Sequence, residues 1–308
     1  MRRVFYAAVI FPLLIGCGRS VNQETETVRV SSEPTKPVMA VSFNIRYGTA
    51  SDGPDHWDHR RAFVLDLLAG YGADVIGLQE ALAFQVDQVQ TVLPEYELIV
   101  ACRDVGRRRG EGCPIFYRRD RYERLEGGTF WFSETPDVPG SKHWGNTLPR
   151  ICTWVTLRDR VAGTVLTVFN VHLDHRSQAS REKSTELLAE RIAGLPAGQP
   201  VVVMGDFNIG TDNPAMPRLL ADRGGPGHRR LLDTWEAAGS DLEESGTFHG
   251  FRGEAQATKI DHILVSEGVE ILDAGIDRRS FEGRWPSDHF PVFARIRLYP
   301  DAQHSNPF

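Results

Sequence analysis

The stretch VVVMGDFN, residues 201–208, joins an unbroken apolar run to a polar end. Four successive apolar residues without alternation predict a strand that is covered on both faces. Because side chains alternate along a strand, Asp206 and Asn208 should point in the same direction. Ligands of α/β sheets bind at the carboxyl ends of strands. The stretch therefore predicts a buried strand that presents polar side chains at one edge of a sheet.

Three other apolar runs of strand length also end at polar side chains, namely Asn44, Gln79-Glu80 and Asn170 with His172. Two more polar groups come late in the chain, in KIDH (259–262) and SDHFP (287–291). Taken singly, each also has a structural explanation that needs no function. The asparagines could be turn residues, Glu80 could cap a helix, and His172 could be a surface or core histidine whose hydrogen bonds are satisfied. As a set they would be costly to bury without partners. The set therefore predicts a functional site.

The chain beyond residue 37 has no repeats or linkers, and we expect one α/β domain over residues 38–300 with a short tail, 301–308. Apolar runs predict strands over 38–45, 75–78, 96–101, 115–117, 151–157, 165–171, 201–204, 259–265 and 292–298. Helical spacing of apolar residues predicts helices over 60–68, 83–92 and 184–192. Fully apolar runs indicate strands covered on both faces, and hairpin-like spacing between 96 and 171 adds antiparallel strands.

The composition is that of an ordinary globular protein, with 308 residues, 41% hydrophobic and 25% charged. It excludes collagen-like, coiled-coil, disordered and multi-span membrane classes. The formal net charge of −6 argues against a basic protein that holds nucleic acid by bulk electrostatics. An acidic balance suits a protein that gathers carboxylates around a divalent cation.

Residues 1–16 predict an export signal of the lipoprotein type. Two arginines precede an apolar run, 4–15, that is too short to cross a bilayer, which needs about 17 helical residues. The sequence LIGC, ending at Cys17, resembles the lipobox of bacterial lipoproteins, in which that cysteine is acylated; a plain secretory signal is the alternative. Residues 17–37 would then be the lipidated cysteine and a polar tether. We expect an exported protein, lipid-anchored to the membrane on its extracytoplasmic side, either periplasmic or at the outer membrane.

The other three cysteines would then lie in a compartment that permits disulfides. Their spacing matches no zinc pattern, and their odd number leaves at least one thiol free. Cys102 closes one predicted strand and Cys113 opens the next, so a bridge across this hairpin is as well supported as free thiols, and Cys152 could compete for Cys113. A bridge would hold the arginine run 107–109 of the hairpin over the cleft.

Six motifs together resemble the endonuclease/exonuclease/phosphatase superfamily, metal-dependent phosphoesterases that include pancreatic deoxyribonuclease, neutral sphingomyelinases, inositol polyphosphate phosphatases and deadenylases. They are SFNIRY (42–47), LQE (78–80), NVHLDH (170–175), GDFN (205–208), KIDHIL (259–264) and SDHFPV (287–292). The motifs follow the family's order, and GCPIFY (112–117) with GTFWFSETP (128–136) is similar to a bacterial branch. The resemblance implies a four-layer α/β sandwich of two packed mixed β-sheets flanked by helices, with the site at one end.

The resemblance also assigns a metal site and a water site. Glu80 would be the principal ligand of Mg²⁺ (or Mn²⁺), with Asn44 beside it and Asp288 completing the site. Asp206 would orient or deprotonate the attacking water. Asn208 would donate to the phosphoryl oxygens or to a water on the metal.

The remaining roles concern the phosphoryl group. His289 would act with Asp261, whose carboxylate fixes the tautomer of the imidazole. His172 would bind the phosphate as it gains charge. Arg150 stands where several branches place a phosphate-binding arginine, although a surface arginine on an edge strand is equally compatible with its position.

One departure from the family concerns residue 46. Repair endonucleases of abasic sites carry a carboxylate two residues after the first asparagine, whereas this chain has Arg46, which argues against a second tightly held metal. The run 107–109 is either a solvated hairpin tip or a loop that steers phosphate.

The sequence therefore predicts a divalent-metal-dependent hydrolase of phosphoester bonds, either a phosphodiesterase or a phosphatase. Its substrate could be nucleic acid, a phospholipid headgroup, or a sugar or inositol phosphate. A catalytically silent binding module on the same scaffold is the alternative, although such a module need not keep every residue of the site. Nothing in the sequence indicates a protein partner, and we expect a monomer.

Overall fold

Two mixed β-sheets pack against each other in the computed structural model of the chain, which describes residues 35–105, 108–221, 229–239, 245–254 and 258–299. The first sheet contains β1 (Val38–Asn44), β2 (Val75–Gln79), β3 (Tyr96–Ile99), β4 (Ile115–Arg118), β11 (Glu270–Ile276) and β12 (Val292–Arg297). The second contains β5 (Tyr122–Trp131), β6 (Ile151–Asp159), β7 (Val165–His172), β8 (Val201–Asp206), β9 (Leu231–Asp233) and β10 (Asp261–Ser266). The strand orders are β11-β12-β1-β2-β4-β3 and β5-β6-β7-β8-β10-β9.

Helices cover the outer face of each sheet. The first sheet is covered by α1 (Trp57–Tyr71) and α2 (Ala83–Val92), and the second by α3 (Gln178–Ala193) and the short α4 (Pro217–Leu220); α5 (Thr234–Ala237) follows β9. Two parallel strands cannot be joined by a tight turn, so α1 lies between the parallel pair β1 and β2, and α3 between β7 and β8. The four layers confirm the predicted α/β sandwich.

The apolar run that opens β8 shows how the core is divided. Val202 and Met204 point into the core between the sheets, whereas Val201 and Val203 point outward beneath α3. All four are at most 1% exposed, as expected of a strand covered on both faces. Complete burial of such a side chain contributes about 1.5–3 kcal/mol.

The strand register brings the predicted polar residues together. Asn44 is opposite Gln79 in the parallel pair of the first sheet, and His172 is opposite Asp206 in that of the second. The strand β10 runs antiparallel to β8, so its first residue, Asp261, also lies opposite Asp206. The carboxyl ends of the parallel strands and the amino ends of their antiparallel neighbours therefore meet at one end of the sandwich.

Several elements differ from the sequence prediction. The strands β5, β9 and β11 were not predicted; β5 is an edge strand with charged residues and Gly127-Gly128, which leave little apolar alternation to detect. The helices predicted over 60–68 and 184–192 are the inner parts of the longer α1 and α3. The bounds of α2 agree with the prediction.

The cysteine bridge is absent from the part of the chain that the structure describes, where Cys102, Cys113 and Cys152 are buried free thiols. Cys102 is paired with Gly112. Because neighbouring residues of a strand point to opposite faces, this one-residue offset from Cys113 turns the two thiols away from each other.

The beginning of the domain also differs slightly from the expectation. Thr35, which we assigned to the tether, donates from Oγ1 to the carbonyl of Leu298 at 2.6 Å, and Arg121 donates to the carbonyls of Lys36 and Pro37. The signal segment 1–16, most of the tether and the tail 301–308 lie outside the described residues. Within the described ranges, no helix combines the length and apolar character needed to span a bilayer.

Candidate active site

A cleft of about 950 Å³ opens at the end of the sandwich where the polar strand ends meet. Seven of the predicted site residues line it, namely Glu80, Arg150, His172, Asp206, Asn208, Asp288 and His289. The other two predicted there, Asn44 and Asp261, are buried behind the cleft surface in contact with Asp206 and His289. The fold therefore brings the whole predicted set together, apart from Cys17, which lies outside the described residues.

His289 and Asp261 form a hydrogen-bonded pair, with 2.8 Å between Nδ1 of the imidazole and Oδ2 of the carboxylate. The other ring nitrogen, Nε2, lies 3.9 Å from Oδ2 of Asp206. Burial alone would lower the pKa of His289, but Asp261, then Asp206 and Asp288, outweigh it and raise that pKa well above its ordinary value. His289 is thus held as an oriented cation.

Asp206 lies at the centre of the site and is 1% exposed. Its Oδ1 accepts from the backbone N–H of Asn208 at 2.8 Å, and its Oδ2 accepts from Nδ2 of Asn44 at 3.0 Å. Burial, followed by the charge of Asp261, raises the pKa of Asp206 to about 7. A carboxylate with this pKa can accept a proton near neutral pH.

Arg150 is buried in the opposite wall of the cleft and is 3% exposed, which rules out the alternative of a surface arginine. It precedes β6, an interior strand between β5 and β7. Its Nη1 lies 3.0 Å from Nε2 of His172, and its Nη2 lies 2.7 Å from Nδ1 of His175. Because a guanidinium can only donate, both imidazole nitrogens accept.

The protonation state of His172 follows from its burial and its contact with Arg150. Burial first, and then the charges of Arg150 and Arg103, lower the pKa of His172 well below its ordinary value. Nε2 of His172 accepts from Arg150, so this atom does not donate to phosphate, contrary to the expectation that His172 binds the phosphate. In this arrangement His172 orients Arg150, which lines the cleft.

Glu80 is the best candidate for a metal ligand. Its backbone is in the left-handed region, with φ of 57°. Such a conformation is strained for a residue other than glycine and is most often kept at functional sites. The carboxylate accepts from the backbone N–H of Tyr47 at 3.1 Å and from Nδ2 of Asn44 at 3.3 Å. Asn44 therefore presents its nitrogen to Glu80 and orients the carboxylate, while its oxygen accepts from Arg46.

Two groups of side chains could hold a cation among the described residues. One ligand atom each from Glu80, Glu111 and His172 lies within 4.8 Å of the others, and the same holds for Asp206, Asp261 and His289. The second group is already joined by its own hydrogen bond and is fully buried. The first group lines the cleft, and its two carboxylates suit a hard divalent cation.

Asp288, the third predicted metal ligand, faces a cation of the protein itself. Its Oδ2 lies 3.7 Å from Nε of Arg46, which also makes two 3.0 Å hydrogen bonds to Asp52. Arg60, which is buried, donates to the carbonyls of Ile45, Arg46 and Pro286, and so ties the loop of Arg46 to that of Asp288. The first sheet thus places a fixed positive charge beside Asp288.

Sequence reasoning missed several residues that line the cleft, namely Arg103, Glu111, His175, Phe248 and Phe251. Glu111 stands just before β4, which is antiparallel to β2, so it lies at the same end as Glu80. The available signal was a carboxylate at the beginning of an antiparallel strand. Phe248 lies edge-on to the ring of His289, with 5.0 Å between ring centroids.

This fold and site belong to a known class of enzymes. The model of the Endonuclease/Exonuclease/phosphatase family matches residues 41–289, and the chain is a member of that family. The family comprises metal-dependent hydrolases of phosphoester bonds, so the protein is a phosphoester hydrolase.

Individual relatives show the same relationship. A family protein from Bacteroides thetaiotaomicron is 32% identical, with a TM-score of 0.79, over 87% of this chain and 100% of that one. The mannosyl-6-phosphatase of the same species is 32% identical, with a TM-score of 0.77, over 84% of this chain and 99% of that one. The Ccr4 exoribonuclease subunit of Mycosarcoma maydis is 25% identical over 75% of this chain, which spans only 41% of that protein.

Proposed function

We propose that the protein is a phosphatase that removes phosphate from a phosphorylated sugar, uses Mg²⁺ or Mn²⁺, and is lipid-anchored on the extracytoplasmic face of a membrane. The observation that carries the chemistry is the position of Asp206 between two opposed pairs. His289 with Asp261 lies on one side, and Arg150 with His172 on the other. Asp206 is the proton acceptor, one side holds a cationic imidazole, and the other holds a fixed guanidinium.

The residues divide the reaction between them. Asp206 orients the attacking water and accepts its proton as the water oxygen bonds to phosphorus and the bond to the leaving oxygen breaks. The leaving oxygen departs as the alcohol after it takes a proton from solvent. His289, kept protonated by Asp261, donates to a phosphoryl oxygen, and Asn208 fixes the Asp206 carboxylate through its backbone N–H. Arg150 donates to the phosphoryl oxygens from the opposite wall.

The metal would be held by Glu80 with Glu111, since carboxylate oxygens are the ligands that Mg²⁺ and Mn²⁺ prefer. When bound there, a divalent cation would neutralise charge on the phosphoryl group and polarise it toward attack. Asn44 and the N–H of Tyr47 keep the carboxylate of Glu80 in place. The carboxylate of Asp288 lies beside the guanidinium of Arg46 and balances its positive charge.

Two observations support a sugar phosphate as the substrate. The mannosyl-6-phosphatase is 32% identical over nearly its whole length. The cleft of about 950 Å³ is large enough for a sugar ring, and it is lined by the aromatic side chains of Tyr47, Phe248 and Phe251. Rings of this kind pack against the apolar faces of sugars.

The test is phosphate release by the purified chain from mannose 6-phosphate, from a phospholipid headgroup ester and from a single-stranded oligonucleotide, with Mg²⁺ and with EDTA. We expect turnover of the sugar phosphate that EDTA abolishes and that is lost in Asp206→Asn. Turnover of the oligonucleotide alone, or of the headgroup ester alone, would show that the substrate is that ester and not a sugar phosphate. No turnover of any ester would favour a silent binding module.

The location has its own test, because it is supported by the sequence LIGC at residues 14–17 alone. Attachment through diacyl modification of Cys17 is stable, whereas a single chain gives only marginal binding. We expect the full chain in the membrane fraction and labelled by a palmitate analogue, and Cys17→Ala unlabelled. Unlabelled wild-type protein in the soluble extracytoplasmic fraction would contradict the anchor.

A further inference from the structure

The paired segments 101–105 and 108–112, which form the described parts of a hairpin, hold an arginine in the cleft. Arg103 donates its backbone N–H to the carbonyl of Glu111 at 2.8 Å, and its own carbonyl accepts from Nε1 of Trp131 at 2.6 Å. The base of the hairpin is joined to Ala81, since the N–H of Gly112 donates to that residue's carbonyl at 2.8 Å. The backbone of Arg103 is thus fastened directly to the end of β5, and its hairpin is fastened to the loop after β2 through Gly112.

The guanidinium of Arg103 lines the cleft, and the side chain is 12% exposed. Its Nη1 lies 2.6 Å from the carboxylate of Glu111, which fixes the plane of the group. Its Nε is buried and has no hydrogen-bond partner among the described residues. Because Nε is closed to a molecule the size of water, a ligand in the cleft would meet this guanidinium through its terminal Nη atoms.

Arg103 shares its wall of the cleft with Arg150. Both line a small recess beside His172, and the charges of both lower the pKa of that histidine, after burial. The wall therefore carries two permanent cations, and the fork of a guanidinium matches the geometry of phosphate oxygens. The arginine run 107–109 was the sequence candidate for phosphate steering. Of that run, Arg108 is exposed and paired with Asp87, and Arg107 lies outside the described residues.

We propose that Arg103 makes the enzyme selective for phosphomonoesters over phosphodiesters, an inference that rests on the proposed phosphatase function. A monoester carries close to two negative charges at neutral pH and has three terminal oxygens. A diester carries one charge, and its second organic group replaces one of those oxygens. Arg150 binds the oxygens common to both esters, and Arg103 binds the terminal oxygen that only the monoester has.

The experiment measures kcat/KM of the Mg²⁺-loaded full chain for p-nitrophenyl phosphate and for bis(p-nitrophenyl) phosphate. In Arg103→Met we expect the monoester value to fall at least about tenfold, the effect of losing one hydrogen bond to a charged group, and the diester value to change less than about threefold. Arg108→Gln, on the same hairpin, should leave both values unchanged. Arg103→Lys keeps a charge beside Glu111 but lacks the fork, and should lose selectivity only in part.

The outcomes separate the two proposals. Wild-type protein that hydrolyses only the diester overturns the phosphatase function. Wild-type protein active on the monoester, with an Arg103→Met variant that loses both activities equally or neither, overturns the role of Arg103. If Arg103→Met does not fold, as judged by circular dichroism, Arg103→Lys decides, and an unchanged ratio of the two activities in that variant counts against the proposal.

Discussion

The two sides of the cleft each bury a histidine, and the two respond to their surroundings in opposite ways. His172 and His289 are both 6% exposed, and the Nε2 atom of each lies within 4 Å of Oδ2 of Asp206, at 3.6 and 3.9 Å. Nevertheless the pKa of His172 is lowered and that of His289 is raised. Equal burial therefore does not decide the charge of a histidine.

The side chain that is hydrogen-bonded to each ring makes the difference. His289 rests against the carboxylate of Asp261, so its cationic form gains a hydrogen bond and an opposite charge. His172 rests against the guanidinium of Arg150, so its cationic form would meet a like charge. One side of the cleft is thus built to hold a proton and the other to hold an anion, which is the division of labour that phosphoester hydrolysis requires.

The largest expected effect comes from removing Asp206, which lies between the two sides, or His289, which lies on one of them. Asp206→Asn or His289→Ala should lower kcat at least about 10²-fold, the size associated with general acid–base or oxyanion help. Folding should survive, as judged by circular dichroism. The exposed Asp212→Asn is the matched control and should keep wild-type turnover. Near-normal turnover in either active-site variant would show that these roles are assigned wrongly.

A smaller effect is expected from removing the positive charge of Arg150 beside His172. Arg150→Met should lower kcat/KM about 10- to 100-fold through lost hydrogen bonds to the phosphoryl group. It should also raise the pKa of His172, because the positive charge beside that ring is removed. NMR titration of the histidines measures the second effect. A variant in which the pKa of His172 does not move would refute the electrostatic part of the comparison.

The pH dependence tests the central carboxylate. Asp206 accepts a proton only when ionised, and its pKa is about 7, so kcat should fall close to tenfold per unit as the pH drops below that value. The charge of Asp261 is one cause of the raised pKa. In Asp261→Asn the falling limb should therefore shift to lower pH. A limb that stays in place in this variant would exclude Asp206 as the titrating group.

A third buried histidine extends the comparison to stability. His249 is stacked on Phe290, with 4.0 Å between ring centroids, and burial, followed by the charge of His289, lowers its pKa to about 4. A histidine starts to protonate in the unfolded chain near pH 6.5 but in the folded protein only near pH 4, so its contribution is complete above pH 6.5 and is lost as the pH falls between these values. The free energy of unfolding should drop by up to about 3 kcal/mol over that window.

Replacing His249 should reduce the drop in the free energy of unfolding between pH 6.5 and 4. Urea unfolding of wild type and His249→Asn at several pH values between 6.5 and 4 gives the comparison. His59→Asn is a suitable control, since His59 is exposed on α1. The same pH slope in wild type and His249→Asn would mean that His249 is not the group that resists protonation.

Much of the site could be predicted because its residues follow apolar strands directly. Glu80, His172, Asp206 and Asn208 stand at or just past the carboxyl ends of β2, β7 and β8, where ligands of α/β sheets bind. Arg103 and Glu111 could not be found in this way, because they lie on the hairpin before an antiparallel strand whose amino end faces the cleft.

The sequence by itself determined the layers and the chemistry of this protein. Local patterns of apolar residues specify which strands are buried on both faces, and the motifs carry the carboxylates, amides and histidines of a phosphoesterase site. Only the tertiary structure decided the charge states and the partners. Three features depend on distances of a few ångströms between segments far apart in the chain: the pKa of His172, the contact of Arg150 with its ring, and the position of Arg103 in the cleft. Electrostatic interactions in a buried site change steeply over such distances, and no local pattern encodes them.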